Sequence, residues 1–294
     1  MKLVTFILRS DPGAPAAVGA LVDEGAAVLD FRRAHLEMPR ELLTCFDLDG
    51  PWLPRAIALA GGGRPPGALL PIEAVRLCAP VPRPGKLVCV GLNYRDHAAE
   101  SKLAVPERPV LFSKFATSVI GAGDAIVVPA GSQKVDYEAE LAIVIGRRTK
   151  GVNRDAASAA ILGYTIVNDV SARDFQFADG QWQRGKSCDT FAPMGPSIVT
   201  AGEIAAPQRL AIRLCVNGKT LQSSSTDQMI FGAVEIVEYI SQTITLEPGD
   251  VIATGTPPGV GFARQPPVFL QPGDVVEIEI DGLGVLRNTV AAGE

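Results

Sequence analysis

Three carboxylates occur at alternate positions of one short segment: Asp136, Glu138 and Glu140. The segment ends in the apolar run 141–145, which predicts a strand that enters the protein interior. Side chains two residues apart share one face of a strand and lie roughly 7 Å apart. At an effective dielectric constant near 20, each such pair of charges repels by about 2 kcal/mol. A strand that enters a core therefore needs water or a cation to relieve the repulsion.

The donor atoms of this acidic set are all oxygens, which favours a hard divalent ion over zinc. Mg²⁺, Mn²⁺ and Ca²⁺ meet that description. Asp169, at the end of the predicted strand 163–171, can complete a three-carboxylate site with Glu138 and Glu140. Two alternatives stay open at this point. The acidic face can be solvated, and Asp169 can be a turn or cap residue.

A histidine and a glutamate form a second candidate group. His97 and Glu100 stand three residues apart in the helix-compatible segment 95–100, so both side chains lie on one helical face. The chain has two histidines, which excludes a His-rich metal site. The other, His35, is alone among apolar and charged neighbours and is interpreted as structural or exposed. What remains is an acidic set with a separate acid–base pair.

Positive charge and a glycine-rich loop occur near the acidic set in the sequence. Arg173 and Lys186 follow Asp169, as a site for a carboxylate-bearing substrate would need, although both can also belong to a solvated loop. The segment 254–261 is a rigid, Gly-rich loop after a predicted strand. It can offer backbone amides and a hydroxyl to an anion, or it can be a turn.

One formal motif match is rejected. Residues 180–187 satisfy the phosphate-loop pattern G-x-x-x-x-G-K-S. That motif binds phosphate only between a strand and a helix, whose N-terminal amides surround the anion. The preceding residues 175–179 are no buried strand, and the prolines at 193 and 196 prevent a following helix. A nucleotide-binding role is therefore not expected.

The elements that must position these residues indicate a strand-dominated α+β protein. Residues 1–80 are predicted to form a small N-terminal α/β domain, and the proline-rich stretch 80–86 is the predicted linker. Residues 81–294 then form the catalytic domain. Helices are predicted at 155–162 and 232–242. Gly-Asp pairs at 123–124, 249–250 and 273–274 each predict a turn that begins a short strand.

Composition excludes several classes of function. The chain has 294 residues, 47% hydrophobic and 20% charged, with a net charge of −5, so a nucleic-acid or anionic-membrane partner is not expected. No uncharged apolar run approaches the length that crosses a bilayer. Five scattered cysteines contain no Cys-x-x-Cys pair, which argues against a disulfide framework and suits a reducing interior. These features predict a cytoplasmic protein.

In its last two thirds the chain resembles the fumarylacetoacetate hydrolase (FAH) family. The resemblance runs in order from about residue 86 to 290 and rests on six motifs, which together are far more specific than any one alone. They are Gly91-Leu92-Asn93-Tyr94-Arg95-Asp96-His97, Asp136-Tyr137-Glu138-Ala139-Glu140-Leu141, Asn168-Asp169-Val170-Ser171-Ala172-Arg173-Asp174-Phe175-Gln176, Gly185-Lys186-Ser187, Pro248-Gly249-Asp250 and Thr254-Gly255-Thr256-Pro257.

The resemblance implies a fold and roles for individual residues. The fold would be a mixed β-sandwich roll, usually dimeric, so a homodimer is expected. Glu138, Glu140 and Asp169 would bind Mg²⁺ or Mn²⁺, with Ca²⁺ as a substitute in vitro. His97 paired with Glu100 would be the base that activates water, and Lys186 would stabilise an oxyanion. Contacts with the substrate are expected from Asn93, Tyr94, Arg173, Gln176 and Thr256.

The resemblance also implies a reaction. The expected function is metal-dependent hydrolysis of a C–C bond in a β-diketo acid, with release of pyruvate. An acylpyruvate such as fumarylpyruvate, or a diketo-deoxy sugar acid, would be the substrate. The alternatives are decarboxylation of oxaloacetate, and isomerisation or decarboxylation of a 2-oxo-hept-ene-dioate from aromatic catabolism. Fold analogy does not choose among these reactions.

Overall fold

The computed structural model describes residues 1–40, 42–62, 64–100 and 104–293. Strands dominate, as predicted for an α+β protein. In chain order they are β1 (Lys2–Leu8), β2 (Ala17–Val22), β3 (Ala27–Asp30), β4 (Leu69–Pro71), β5 (Val75–Leu77), β6 (Leu87–Gly91), β7 (Val110–Lys114), β8 (Val119–Ile120), β9 (Ala125–Val128), β10 (Val135–Asp136), β11 (Ala139–Ile145), β12 (Ile161–Asn168), β13 (Ser171–Ala172), β14 (Ala192–Thr200), β15 (Ala211–Val216), β16 (Lys219–Ser225), β17 (Val251–Ala253), β18 (Val275–Ile280) and β19 (Gly284–Ala292).

The helices are short and lie between the strands. They are α1 (Phe31–Ala34), α2 (Leu42–Phe46), α3 (Trp52–Gly61), α4 (Arg95–Glu100), α5 (Arg154–Ala159), α6 (Arg173–Ala178), α7 (Gln183–Lys186) and α8 (Ala233–Thr243). The helix predicted at 232–242 is confirmed by α8. The one predicted at 155–162 ends earlier, because Ile161 and Leu162 belong to the central strand β12. Across the described residues, no helix combines the length and apolar character that a membrane crossing requires.

Twelve strands form the larger sheet, in the order β4-β3-β2-β1-β14-β12-β11-β17-β6-β7, with β5 paired to β1 and β8 to β14. Every residue of β11 and β12 is buried, which explains their nearly continuous apolar sequences. The two strands are antiparallel neighbours, with Ala139 opposite Asn168. The ends of these central strands therefore bring Glu138, Glu140 and Asp169 to one place.

A second sheet of five strands has the order β16-β15-β18-β19-β9. The buried face of β15 and β18 joins side chains of the larger sheet in one apolar core, which includes Ile143, Ile166, Leu214, Ile236 and Ile278. Ile236 comes from the apolar face of α8. The core therefore lies between the two sheets, as in a β-sandwich.

The N-terminal region adds to the larger sheet. β1 pairs antiparallel with β14, with Lys2 opposite Val199 and Leu3 opposite Ile198. One apolar cluster joins Leu3 and Phe31 of this region to Val144 and Met194 of the rest. The boundary near residue 80 stays a prediction, since the backbone hydrogen bonds of the sheet run across it.

The three predicted Gly-Asp turns are confirmed. Gly123, Gly249 and Gly273 have φ angles of +85°, +84° and +96°, a region that glycine adopts without strain. Each following aspartate accepts a hydrogen bond from the backbone N–H three residues before it, at 2.7–2.9 Å. Strands β9, β17 and β18 begin one residue after these aspartates.

The prediction of one continuous strand over 135–145 is wrong. β10 ends at Asp136, β11 begins at Ala139, and the two pair with different strands. Side chains replace the missing ladder bonds: the Glu138 N–H donates to Asn168 Oδ1 at 3.0 Å and the Ala139 N–H to Gln222 Oε1 at 2.9 Å. Tertiary contacts thus break a strand that alternation alone predicts.

Candidate active site

Three carboxylates meet at the carboxyl end of β12 and the start of β11. One oxygen from each of Glu138, Glu140 and Asp169 lies within 4.8 Å of the other two, and all three residues are buried. The Asp169 N–H donates to the Glu138 backbone oxygen at 2.9 Å, which fixes the two chain segments together. We call these three residues the carboxylate triad. Asp136, which the alternation pattern grouped with them, is not a member.

Two buried lysines contact the carboxylate triad. Lys186 Nζ donates to Glu138 Oε2 and to Asp169 Oδ2, each at 2.7 Å. Lys114 Nζ donates to Asp169 Oδ1 at 2.5 Å and to the Val170 backbone oxygen at 2.9 Å. Burying an unpaired charge is costly, so these contacts balance part of the acidic set.

Arg173 links the triad to Asp136. Its Nε donates to Asp136 Oδ2 at 2.8 Å, one terminal nitrogen donates to Glu138 Oε1 at 2.6 Å, and the other donates to Gln176 Oε1 at 2.9 Å. The guanidinium also lies over the ring of Phe262, 4.4 Å from its centroid. Asp136 accepts further bonds from the backbone N–H groups of Gly261 and Phe262. Arg173 is therefore held in place before any substrate binds.

The two glutamates of the triad differ in charge environment. Burial raises the pKa of Glu138, but Lys186 and Arg173 outweigh it and hold that pKa at about 2. Burial, and then the charges of Asp169 and Glu138, raise the pKa of Glu140 well above its ordinary value. Its Oε2 accepts the Gly255 N–H at 2.8 Å, and no described lysine or arginine pairs with it. When ionised, Glu140 is therefore the triad member whose negative charge no described lysine or arginine balances.

The triad fits a divalent cation. When ionised it has three negative charges; Lys114 and Lys186 contribute two positive ones, and Arg173 is balanced by Asp136. One negative charge is therefore left, at an all-oxygen site of the kind that Mg²⁺ and Mn²⁺ prefer. A bound divalent ion would make the site positive by one charge, which favours an anionic substrate.

His97 and Glu100 form a contact on α4, as predicted. His97 Nδ1 lies 3.2 Å from Glu100 Oε2. The Gly259 N–H donates to both carboxylate oxygens of Glu100, at 3.0 and 3.2 Å, so this side chain is itself held. Because an ionised carboxylate can only accept, the hydrogen of the neutral imidazole is on Nδ1, and Nε2 is left as the base.

One cavity of about 420 Å³ joins the base to the acidic set. The polar side chains that line it are His97, Glu100, Glu138, Glu140, Arg173, Gln176, Lys186 and Thr256. The aromatic side chains that line it are Phe112, Phe177, Trp182 and Phe262. A larger, more open groove of about 710 Å³ shares Phe112 and Trp182 with it, but its described lining includes neither His97 nor any triad residue.

Two predicted substrate contacts are not brought to this cavity. The Asn93 side chain donates to the Phe231 and Thr254 backbone oxygens at 3.0 and 2.8 Å and accepts the Phe231 N–H at 2.8 Å. Tyr94 is fully buried, and its hydroxyl has no partner among the described residues. Asn93 therefore connects backbone segments, and Tyr94 is part of the core. Arg173, Gln176 and Thr256 do line the cavity.

Sequence reasoning missed two residues of the site. Lys114 is the last residue of β7, and its only signal in the sequence is a lysine at the end of an apolar segment. Gln222 had no signal, because it comes from the second sheet. Its amide accepts the Ala139 N–H and donates to Thr256 Oγ1 and the Pro257 backbone oxygen, at 2.8–2.9 Å. Gln222 therefore holds Ala139, the first residue of β11, and the Thr256 loop together.

The phosphate-loop match is correctly rejected. Residues 183–186 form the single turn α7, and the segment before it is α6 rather than a strand. The ammonium of Lys186 contacts two carboxylates of the triad instead of an anion site at a helix N-terminus.

Comparison with known proteins identifies the class. The family model described as "Fumarylacetoacetate (FAA) hydrolase C-terminal" matches residues 86–291. The chain therefore belongs to the fumarylacetoacetate hydrolase family, and both the resemblance and the strand-dominated α+β fold are confirmed.

The names of individual relatives describe more specific activities than the family name does. A Bos taurus protein named oxaloacetate tautomerase FAHD2A, mitochondrial, is 50% identical over 224 residues, which cover 76% of this chain and 71% of that protein. Oxaloacetate tautomerase fahd2, mitochondrial, of Xenopus laevis is 41% identical over 292 residues, 99% and 90% of the two chains. The crystal structure of 2-hydroxyhepta-2,4-diene-1,7-dioate isomerase from Mycobacterium marinum matches with 38% sequence identity and a TM-score of 0.77. The match covers 99% of this chain and 98% of that chain.

These relatives change two expectations. The chain is an enzyme of this family, and the relatives favour the oxaloacetate and isomerase alternatives over hydrolysis of an acylpyruvate. The prediction of a cytoplasmic protein is contradicted, because both tautomerases are named as mitochondrial. Unpaired cysteines indicate a reducing interior, which does not distinguish one such compartment from another.

The charge state of Glu140 predicts pH-dependent metal binding. The raised pKa favours a proton on Glu140 in the metal-free site. A cation must displace that proton, so Mn²⁺ affinity should rise with pH, with on the order of one proton released. Calorimetry in buffers of different ionisation enthalpy measures the Mn²⁺ affinity and the number of protons released. Glu140→Gln should weaken binding and abolish the pH dependence, whereas the exposed Glu107→Gln should change neither. Affinity independent of pH would contradict this assignment.

The hydrogen bonds of Asn93 predict a structural role. Asn93→Ala leaves two backbone oxygens and one N–H without their partner, and each such loss costs about 1–3 kcal/mol. We expect the free energy of unfolding in urea to fall by about 3 kcal/mol. The matched variant Asn153→Ala removes one exposed cap bond of α5 and should cost about 1 kcal/mol. Unchanged stability with weaker substrate binding would instead support the substrate contact predicted from the motif.

Proposed function

We propose that this enzyme interconverts the keto and enol forms of a small 2-oxo acid of the oxaloacetate class, with Mg²⁺ or Mn²⁺ bound by the carboxylate triad. The proposal is supported by one cavity whose lining includes a single oriented base, His97, together with Glu138 and Glu140 of the triad. The named activities of the two tautomerase relatives support the substrate class.

Keto–enol interconversion requires the transfer of one proton and no second reactant. The C3–H bond breaks, its electron pair forms the C2–C3 double bond, and the 2-oxo oxygen gains a proton. His97 Nε2 is the group that accepts or returns the proton at C3, and Glu100 stabilises the imidazolium that forms. When bound, the divalent ion supplies Lewis-acid stabilisation of negative charge on the 2-oxo oxygen.

The lysines set the charge of the site rather than act as acids. Two of the three N–H bonds of Lys186 are already donated to Glu138 and Asp169, and Lys114 is held by Asp169 and Val170. Hydrolysis would need a free cationic donor for a tetrahedral oxyanion, the role expected of Lys186. Proton transfer at C3 passes through no tetrahedral oxyanion, so tautomerisation does not require Lys186 in that role.

A second candidate is isomerisation of a longer 2-hydroxy-dienoate. The Mycobacterium marinum relative is named for such a substrate. A 2-hydroxy-2-ene acid is the enol of a 2-oxo acid, so the chemistry is the same proton shift with a different chain. The small 2-oxo acid partner and a homodimer stay predictions.

The proposal predicts the products of a substrate panel. The decay of enol-oxaloacetate is followed by its ultraviolet absorbance with Mg²⁺, Mn²⁺ or excess EDTA, and pyruvate release from oxaloacetate, acetylpyruvate and fumarylpyruvate is measured in parallel. We expect metal-dependent enol decay that exceeds pyruvate release from all three. Faster pyruvate release from an acylpyruvate would establish the hydrolase instead, and faster release from oxaloacetate the decarboxylase.

Replacing His97 tests the base. His97→Asn should lower kcat for enol decay by roughly 10²- to 10⁴-fold, because a positioned general base contributes a factor of that size. Mn²⁺ affinity should be unchanged, since His97 is not in the triad. The matched variant His35→Asn alters the other histidine, outside the cavity, and should keep wild-type kcat. Wild-type turnover in His97→Asn would refute the assignment.

A further inference from the structure

Four aromatic rings line the part of the cavity that the proposed reaction does not use. Phe112 and Trp182 form an edge-to-face pair with centroids 5.4 Å apart. Phe177 and Phe262 form a second edge-to-face pair at 5.7 Å. The rings come from β7, the loop before α7, α6 and the turn at 261–263, so four separate segments supply them. We call these four residues the aromatic wall.

The aromatic wall is attached to the polar end of the cavity. Lys186 Nζ lies 5.2 Å from the centroid of Phe112, and Arg173 lies over Phe262. Each ring pair therefore has one member in cation–π contact with a residue that binds the triad. Gly91 provides room for the indole, because a Cβ there would lie 3.0 Å from Trp182. These contacts place the rings beside the reacting end rather than on a remote surface.

The cations of the cavity are already engaged. Among its described lining residues, Arg173 and Lys186 are the permanent cations, and carboxylates or an amide oxygen hold both. A carboxylate on the far end of a long substrate would meet rings rather than a free positive charge. A four-carbon acid such as oxaloacetate stays at the polar end and leaves the aromatic wall without a partner.

We propose that the same site also tautomerises 2-oxo acids with a planar apolar group on C3, the arylpyruvates, whose ring packs against the aromatic wall. This inference rests on the proposed function, because it uses the same base and the same triad. In the enol-to-keto direction the enol O–H proton passes to solvent and the O–H electron pair forms the C2=O bond. The C2–C3 π pair forms the new C3–H bond with the Nε2 proton of protonated His97, and a proton from solvent then restores His97. No electrons are gained or lost overall.

Aromatic pairs favour edge-to-face and offset geometries and add to the burial of apolar area. The cavity volume of about 420 Å³ is within the range of pockets that enclose small organic ligands. A bound aryl group would also exclude water from the space next to His97. The aromatic wall therefore supplies both affinity for the ring and a drier site for proton transfer.

The test uses the Mn²⁺-loaded enzyme and three probes: enol-oxaloacetate, enol-phenylpyruvate and enol-4-carboxyphenylpyruvate. The rate above buffer gives kcat/KM for each. We expect phenylpyruvate to be turned over with a kcat/KM within about tenfold of that of oxaloacetate. The 4-carboxy analogue has the same ring with a charge at its far end, and should be at least about tenfold poorer than phenylpyruvate.

Substitutions in the aromatic wall form the second part of the experiment. Phe177→Ala removes a ring that is 61% exposed, so this variant should fold, and Trp182→Ala removes the larger ring. Each should lower the ratio of kcat/KM for phenylpyruvate to that for oxaloacetate by about tenfold. Phe115→Ala removes a ring of similar exposure, 58%, outside the cavity, and should leave the ratio unchanged.

The outcomes separate this inference from the proposed function. Turnover of oxaloacetate without turnover of phenylpyruvate would overturn the inference but not the proposed function. Absence of turnover of both substrates would overturn both the inference and the proposed function. Equal turnover of the carboxylated ring would also overturn the inference, as would an unchanged ratio in Phe177→Ala. A lower ratio in that variant, with the control unchanged, would support it.

Discussion

The repulsion among three buried carboxylates is the constraint on which the rest of the site depends. Glu138, Glu140 and Asp169 converge within 4.8 Å in surroundings that exclude most water. Two lysines balance two of these three charges, Arg173 is balanced by Asp136, and Glu140 is left without a cation. The cluster is stable as a charged set only if a further positive charge is present. A divalent ion bound by oxygen ligands would meet that need, and the resulting excess positive charge would favour an anionic ligand.

The fold produces this convergence by interrupting a strand. Between Asp136 and Ala139 the ladder stops, so that Glu138 and Glu140 approach Asp169 from one side while Asp136 binds Arg173. An amide side chain from the second sheet, Gln222, fills the gap and holds the Thr256 loop at the same time. The two sheets are therefore coupled at the site itself. A shift of one sheet against the other would move the ligands.

The proposed base, His97, is held by a different part of the protein. His97 is on the short helix α4, and its partner Glu100 is bound by the Gly259 N–H. A Cβ at Gly259, whose φ is +100°, would lie 2.2 Å from the Leu221 backbone oxygen, so only glycine fits there. The loop that begins at Thr254 thus contacts Glu140 of the triad through Gly255, and Glu100, the partner of His97, through Gly259. One loop therefore sets the position of the His97–Glu100 pair relative to the triad.

Local sequence patterns predict the strand-dominated class, the three carboxylates, the His97–Glu100 spacing and the glycine turns, because each depends on local periodicity or backbone freedom. Three further features are visible only in the folded protein: the strand breaks after Asp136, Asn93 joins backbone segments instead of contacting the cavity, and Lys114 and Gln222 belong to the site. These features depend on hydrogen bonds between residues 30 to 161 positions apart in the chain. No local pattern encodes such pairings, since the partners meet only when both sheets have formed.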